Sequence, residues 1–249
     1  MIAGNFGMKV NAAVFEMVAR SIPFPLLAKH RHQRIQLEAL LFGQANLLER
    51  DFTEKYPILL KKEFQFLRIK YGLKKVFGQV HFLRMRPENF PTIRLSQLAG
   101  LCAESSNLFA GALECQSLSE LRKKFILRVN DYWFYHYVFD KTSPFKEKTL
   151  GRATGENILI NSVIPLLYTY GYTYPDPSVR QKAISWLQEI RAERNVLLSG
   201  WKRIGMNIDS AAESQALLEL KTEFCEQKKC LDCDIGKWLL SAPANTGLP

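Results

Sequence analysis

The chain has 249 residues, of which 47% are apolar, enough to bury a sizeable core as one large domain or two smaller ones, so a disordered chain is excluded. Its formal net charge of +10 favours polyanionic partners, nucleic acid or an anionic membrane surface, and says nothing about fold. The five cysteines are an odd count without disulfide-like spacing, and the N-terminus lacks the charged start and apolar run of a signal peptide, so a reducing cytoplasm is the expected location. The longest apolar run, residues 158–170, is interrupted by Asn161, Ser162 and Pro165 and falls short of the roughly 20 residues needed to cross a bilayer, so no membrane partner is expected.

In chain order, Gly4-Asn5-Phe6-Gly7 opens before a short helix with Val14, Met17 and Val18 on one face, which Pro23 and Pro25 end. A strong helical pattern runs from Arg31 to about Glu49, with Gly43 inside it as a mark of close helix packing. The next helix, 55–71, places Leu60, Phe64, Leu67 and Tyr71 in one stripe, with Lys61 and Arg68 flanking it and Lys62 and Lys70 pointing away. Residues 84–94 then read as a rigid polar loop, R-M-R-P-E-N-F-P-T-I-R, because Pro87 and Pro91 each fix φ and push Arg86 and Phe90 toward extended conformations. Thr92 is the expected cap of a following helix with Leu95, Leu98, Leu101 and Cys102 buried.

Helices are expected at 107–115 and 118–129, and the run D-Y-W-F-Y-H-Y-V-F at 131–139 reads as a helical piece of core in which His136 is a satisfied packing residue, not a catalytic one. The segment 140–149, rich in Lys, Thr, Ser and Pro, is the expected linker between lobes 1–139 and 150–249. In the second lobe Pro165 should kink or end an apolar helix. Asp176-Pro177 is a helix start, and Ser210 to Glu213 has the capping-box pattern. The absence of a convincing strand pair makes the fold class all-α, a multi-helix orthogonal array in one domain or two lobes. Phosphate-loop, dinucleotide-glycine and nucleophile-elbow patterns are absent.

Charge is distributed unevenly. Residues 55–86 hold nine lysines or arginines against one acid, whereas 209–234 hold seven acids against three lysines. The basic stretch is either a solvated helix face or a phosphate-contacting patch, in which Arg84, Arg86, Asn89 and Arg94 of the loop act with Lys61, Lys62, Lys74 and Lys75 on DNA or RNA. Phe66, Phe77, Phe82 and Phe90 interleave with these cations, as base stacking needs, although aromatics at such spacing also build cores. A separate array, Cys225-x4-Cys230-x2-Cys233, has ligand-like spacing for zinc or an iron-sulfur cluster, with Lys228 and Lys229 favouring thiolates. Three cysteines leave a fourth ligand unassigned, and structural thiols are the alternative reading.

Five stretches together resemble one family: Gly4 to Glu16 (G-N-F-G-x-K-x-N-x-x-x-F-E), Glu38 to Ala45 (E-A-L-L-F-G-Q-A), the 84–94 loop, Ser214 to Lys221 and Cys230 to Gly236. The family is the bacterial one known as domain of unknown function 2851. Its members are usually longer, with an upstream half similar to a nuclease core, so the resemblance implies a helical C-terminal part that is not catalytic alone and that partners such a domain. Three readings follow from the sequence. The first is a basic helical module that binds nucleic acid, the second a structural or protein-interaction domain, and the third a metal-bearing enzyme or sensor built on Cys225, Cys230 and Cys233.

Overall fold

A computed structural model describes residues 2–82, 86–104, 107–193 and 195–241. The protein is predominantly all-α, and its chain divides into two compact units, residues 1–179 and 180–249. The first unit is built on α1 (Ile2–Ser21), α2 (Phe24–His30), α3 (Arg34–Gln44), α4 (Lys55–Tyr71) and α5 (Pro91–Glu104). α3 lies at its centre, packed on α4 along one side and α5 along another, and its residues 37–44 are all buried. The α3 to α4 approach is close because position 43 is a glycine: a Cβ there would stand 2.2 Å from the Phe64 ring. The packing role read from the sequence for Gly43 is thus what the structure shows.

Two residues past the end of α3 stands Asn46, whose φ of 58° is one that Asn tolerates better than most residues. Its side-chain amide donates to the carbonyls of Val76 (2.9 Å) and Gly78 (3.1 Å), while Asn11 of α1 exchanges two hydrogen bonds with the backbone of His81. Two asparagines therefore pair four backbone groups of the extended segment 76–82, which has no strand partner of its own among the described residues.

After α5 come α6 (Leu108–Glu114), α7 (Leu118–Lys123) and a single-turn helix Asp131–Phe134, leading into a small hairpin of β1 (His136–Val138) and β2 (Lys141–Thr142). The aromatic run is core, as expected, with Trp133 fully buried and stacked rings at Tyr56/Tyr132 and Tyr132/His136. It is not one helix, because Asp140 turns the chain at φ 60° and its carboxylate accepts from the amides of Thr53 and Glu54, the two residues that lead into α4. The segment 140–149, read from the sequence as a linker, instead belongs to the first unit. Lys148 donates to the carbonyls of Trp133 and Phe134, and the division falls after Val179.

α8 (Arg152–Ile158), a π-helical turn (Leu159–Val163) and α9 (Ile164–Thr173) form one continuous helical rod. Pro165 neither ends it nor breaks it, because the wider π turn lies just before a residue that has no N–H to donate. α10 (Pro177–Glu189) starts as expected, with Asp176 accepting from the amides of Ser178 and Val179. In the second unit, α11 (Val196–Arg203) and α12 (Ala211–Glu219) enclose a small core of Leu198, Ile208 and Leu217, and the capping box of Ser210 and Glu213 is formed. α13 (Asp234–Ser241) follows the cysteines. Among the described residues no single helix is long and apolar enough to cross a membrane.

A candidate polar cleft beside the 86–90 turn

α1 is not one straight helix. Met8 has φ 54° and ψ −166°, so residues 2–7 and 9–21 are separate helical stretches joined at a kink. The kink is tight, since a Cβ on Gly7 would stand 2.8 Å from the backbone nitrogen of Ala12. Backbone strain of this kind, and π turns, gather where a surface is shaped for use. Here both lie on one cleft of about 900 Å³, walled by Asn5, Lys9, Arg86, Asn89, Asn157 and Asn161.

Several of these walls are positioned by specific contacts. The Asn5 amide donates to Ser162 Oγ in the π turn (2.7 Å), fixing the first stretch of α1 against the rod, and Asn161 donates to the Asn157 carbonyl one turn back (3.0 Å). Arg86 and Asn89 are delivered by the turn Pro87–Asn89, closed by the Asn89 amide on the Arg86 carbonyl (2.8 Å). Beneath them lies Arg94. It is only 5% exposed, on the first turns of α5, and it donates to Asn89 Oδ1 (2.6 Å), Thr154 Oγ1 (3.2 Å) and Gln97 Oε1 (3.0 Å). Asn89 and Thr154 both line the cleft, so Arg94 organises its floor. Its burial pulls its pKa below the usual arginine value.

Two further hollows lie in the same unit. One, of about 530 Å³, is lined by Arg50, Phe82, Phe90 and Lys141, and Phe90 directly follows Asn89 in the turn. Another, of about 200 Å³, is lined by Lys61, Arg68 and Lys75 and shares Asn46 and Glu49 with it. The cleft and the first hollow thus take neighbouring residues of the turn, Asn89 and Phe90, and the two hollows meet at Asn46 and Glu49. Several of their cations are already paired at the surface: Lys61 with Asp51 (2.9 Å), Lys75 with Glu49 (2.5 Å) and Arg50 with Asp140 (3.2 Å). Lys9, Arg86 and Lys141 make no ion pair among the described residues.

The residues singled out in the sequence therefore separate into groups. Arg86 and Asn89 line the cleft, Lys61 and Lys75 line the far hollow, and Lys62 and Lys74 stand exposed outside all three. Arg94 is under the cleft instead of on the loop surface, because the helix begins at Pro91, one residue before the expected cap. Thr92 is already inside the helix and turns its hydroxyl to the Tyr137 carbonyl. Arg84 lies outside the described residues. The sequence reading missed Asn5, Lys9, Thr154, Asn157 and Asn161. The signal for the first two was the Gly4 to Lys9 motif itself, whose polar positions have no helix-face logic.

In the second unit, Cys225 closes a π turn (Leu220–Cys225), and Cys230 and Cys233 sit in the turn before α13. Cys225 and Cys230 are exposed and Cys233 is half-buried. Among the described residues, no group of three His, Cys, Asp or Glu side chains is arranged to hold a metal, so the spacing that fits zinc or a cluster does not fold into a ligand set.

The fold and the cleft define a helical protein with an amide-rich, cation-edged surface in its first unit. The family model described as "Protein of unknown function (DUF2851)" matches residues 1–196, and the chain belongs to that family. The match spans the whole first unit, and with it the cleft and both hollows, whereas Cys225, Cys230 and Cys233 fall outside it. No curated protein and no solved structure matches the chain significantly.

Proposed function

We propose that this chain is a binding module for single-stranded nucleic acid, DNA or RNA, and that the strand follows the cleft and the two hollows. The observation that carries this reading is their lining: Lys9, Arg50, Lys61, Arg68, Lys75, Arg86 and Lys141 against two acids, Glu16 and Glu49. Phosphates neutralised by such side chains release counterions, which drives binding and makes it depend steeply on salt. Surface ion pairs contribute about 0–1 kcal/mol, so Lys61, Lys75 and Arg50 exchange a carboxylate for a phosphate at little cost. Phe82 and Phe90, half-exposed and edge-to-face at 5.3 Å, supply the ring surfaces on which unpaired bases stack.

The test is fluorescence anisotropy of a short single-stranded oligonucleotide titrated with the protein over a range of salt concentrations. The expected result is a linear fall of log affinity with log salt, and in Lys61→Gln/Lys75→Gln a slope shallower by about one for each phosphate that is no longer neutralised. Absent or salt-insensitive binding would overturn the proposal and leave a structural or protein-interaction domain.

A further inference from the structure

Arg94 is a buried cation whose partners are all neutral. The side chains that accept from it are Asn89, Gln97 and Thr154, no carboxylate lies among them, and its Nε has no partner among the described residues. A buried charge without a counter-charge is costly, and the usual remedies are a paired acid or a bound ion of opposite sign. This chain supplies no acid there among the described residues. Two of the three partners of Arg94 line the cleft, so its field emerges through Asn89 and Thr154 into that space.

The cleft is prepared for an anion from other directions as well. Lys9 and Arg86 reach it exposed and without an ion pair among the described residues, and the first turn of the 9–21 helix, through Lys9, Val10 and Ala12, forms part of its wall. Helix N-termini carry a partial positive charge from amides that lack intrahelical partners. Three whole positive charges, Lys9 and Arg86 in the lining and Arg94 beneath it, face one acid of the lining, Glu16. That balance of about two suits a phosphate monoester, which carries about −1.5 to −2 near neutral pH, better than the single charge of an internal diester. The remaining wall is amide: Asn5, Asn157 and Asn161 offer donors and acceptors side by side, the pattern that hydrogen-bonds a base edge or sugar hydroxyls. A volume of about 900 Å³ accommodates a nucleotide whole.

We infer that the cleft binds a terminal phosphate monoester together with its nucleotide, the phosphate held by Lys9 and Arg86 over the buried guanidinium of Arg94, and the base and sugar by the asparagines. This rests on the strand-binding reading above and places a strand end, not an internal segment, at the 86–90 turn. The same chemistry is offered by a free nucleoside monophosphate, and the experiment separates the two sources.

Short oligonucleotides identical except for a terminal phosphate or hydroxyl, at the 5′ or the 3′ end, are titrated with the whole chain by anisotropy. The phosphorylated strand of one polarity should bind roughly tenfold tighter than its hydroxyl counterpart. In Lys9→Gln/Arg86→Gln, both exposed positions, that preference should fall close to unity, whereas Lys61→Gln/Lys75→Gln should weaken both strands alike. A nucleoside monophosphate that displaces only the phosphorylated strand would support the same site and make the free nucleotide a second occupant. Equal binding of both strands by the wild type overturns the inference and leaves the strand-binding reading intact. If neither strand binds, that reading has failed, and calorimetry with the nucleoside monophosphate decides the cleft alone. Heat lost in Lys9→Gln/Arg86→Gln keeps the inference, and no heat in the wild type ends it.

Discussion

Two charges are buried on helices that pack against each other in the first unit, Glu38 on α3 and Arg94 on α5, and the protein treats them in opposite ways. Glu38 is fully buried and surrounded by donors: Tyr56 at 2.7 Å, Ser96 at 2.6 Å and the Arg34 guanidinium at 3.9 Å. Ser96 also accepts from the Asn130 amide, so this carboxylate ties α3, α4, α5 and the aromatic segment into one network. Arg94 is held by neutral oxygens under a cleft. A buried charge with charged and hydroxyl donors all round it fixes a fold. One with neutral partners beside a cavity keeps its electrostatic demand open for something outside the chain.

The largest expected effect is on the satisfied side of that comparison. Glu38→Ala strands two hydroxyls and removes the carboxylate facing Arg34, and should cost about 3 kcal/mol in denaturant unfolding. Gly43→Ala drives a methyl into the Phe64 ring on the same seam and should cost about 2 kcal/mol, partly recovered in a Gly43→Ala/Phe64→Leu double variant. Arg94→Met leaves only neutral groups unpaired, and its loss should be about 1 kcal/mol or less. A loss equal to that of Glu38→Ala would break the comparison.

pH sharpens it further. Burial raises the Glu38 pKa above the ordinary glutamate range, more than its hydrogen bonds to Ser96 and Tyr56 lower it. The folded state therefore holds this proton more tightly than the unfolded chain does. The stability gained is fully present below the ordinary range and is lost as pH rises through the raised folded value. Glu38→Gln should flatten that part of the stability profile followed by thermal unfolding from acid to neutral pH. The smallest effect is expected far from both charges: Cys225, Cys230 and Cys233 changed together to Ser should alter stability by less than about 0.5 kcal/mol, because none of the three is buried.

Much of this is legible from residue patterns alone. The 55–71 helix and its stripe, the Asp176-Pro177 start, the Ser210 to Glu213 capping box and the tight packing at Gly43 depend on neighbours a few residues apart, or on the lack of a side chain. Pro87 and Pro91 mark the turn at 86–90 as a break between helices, which it is. Where Arg94 points is not legible, because the helix starts two residues earlier than a cap at Thr92 implies, and each residue of shift rotates where a side chain faces. The hairpin at 136–142 is hidden for a similar reason. Its alternation is only three residues long, and what fixes it is Asp140 accepting from the amides of Thr53 and Glu54, a contact across more than eighty positions.

The sequence by itself determined the class and the charge. Helical periodicity, proline and glycine punctuation and a surplus of lysine and arginine are properties of short windows or of the whole composition, and they survive any arrangement of the helices. Only the tertiary structure decided where that charge acts. It brought Asn5 and Lys9 from one end of the unit to Arg86 and Asn89 and to Asn157 and Asn161, and put Arg94 beneath them without an acid among its partners. These outcomes depend on the approach of segments remote in the chain. The physical reason is that a cleft is made by the backbone paths around it, here a left-handed Met8, a π turn and an extended segment clamped by Asn11 and Asn46, and none of these has a periodicity to read.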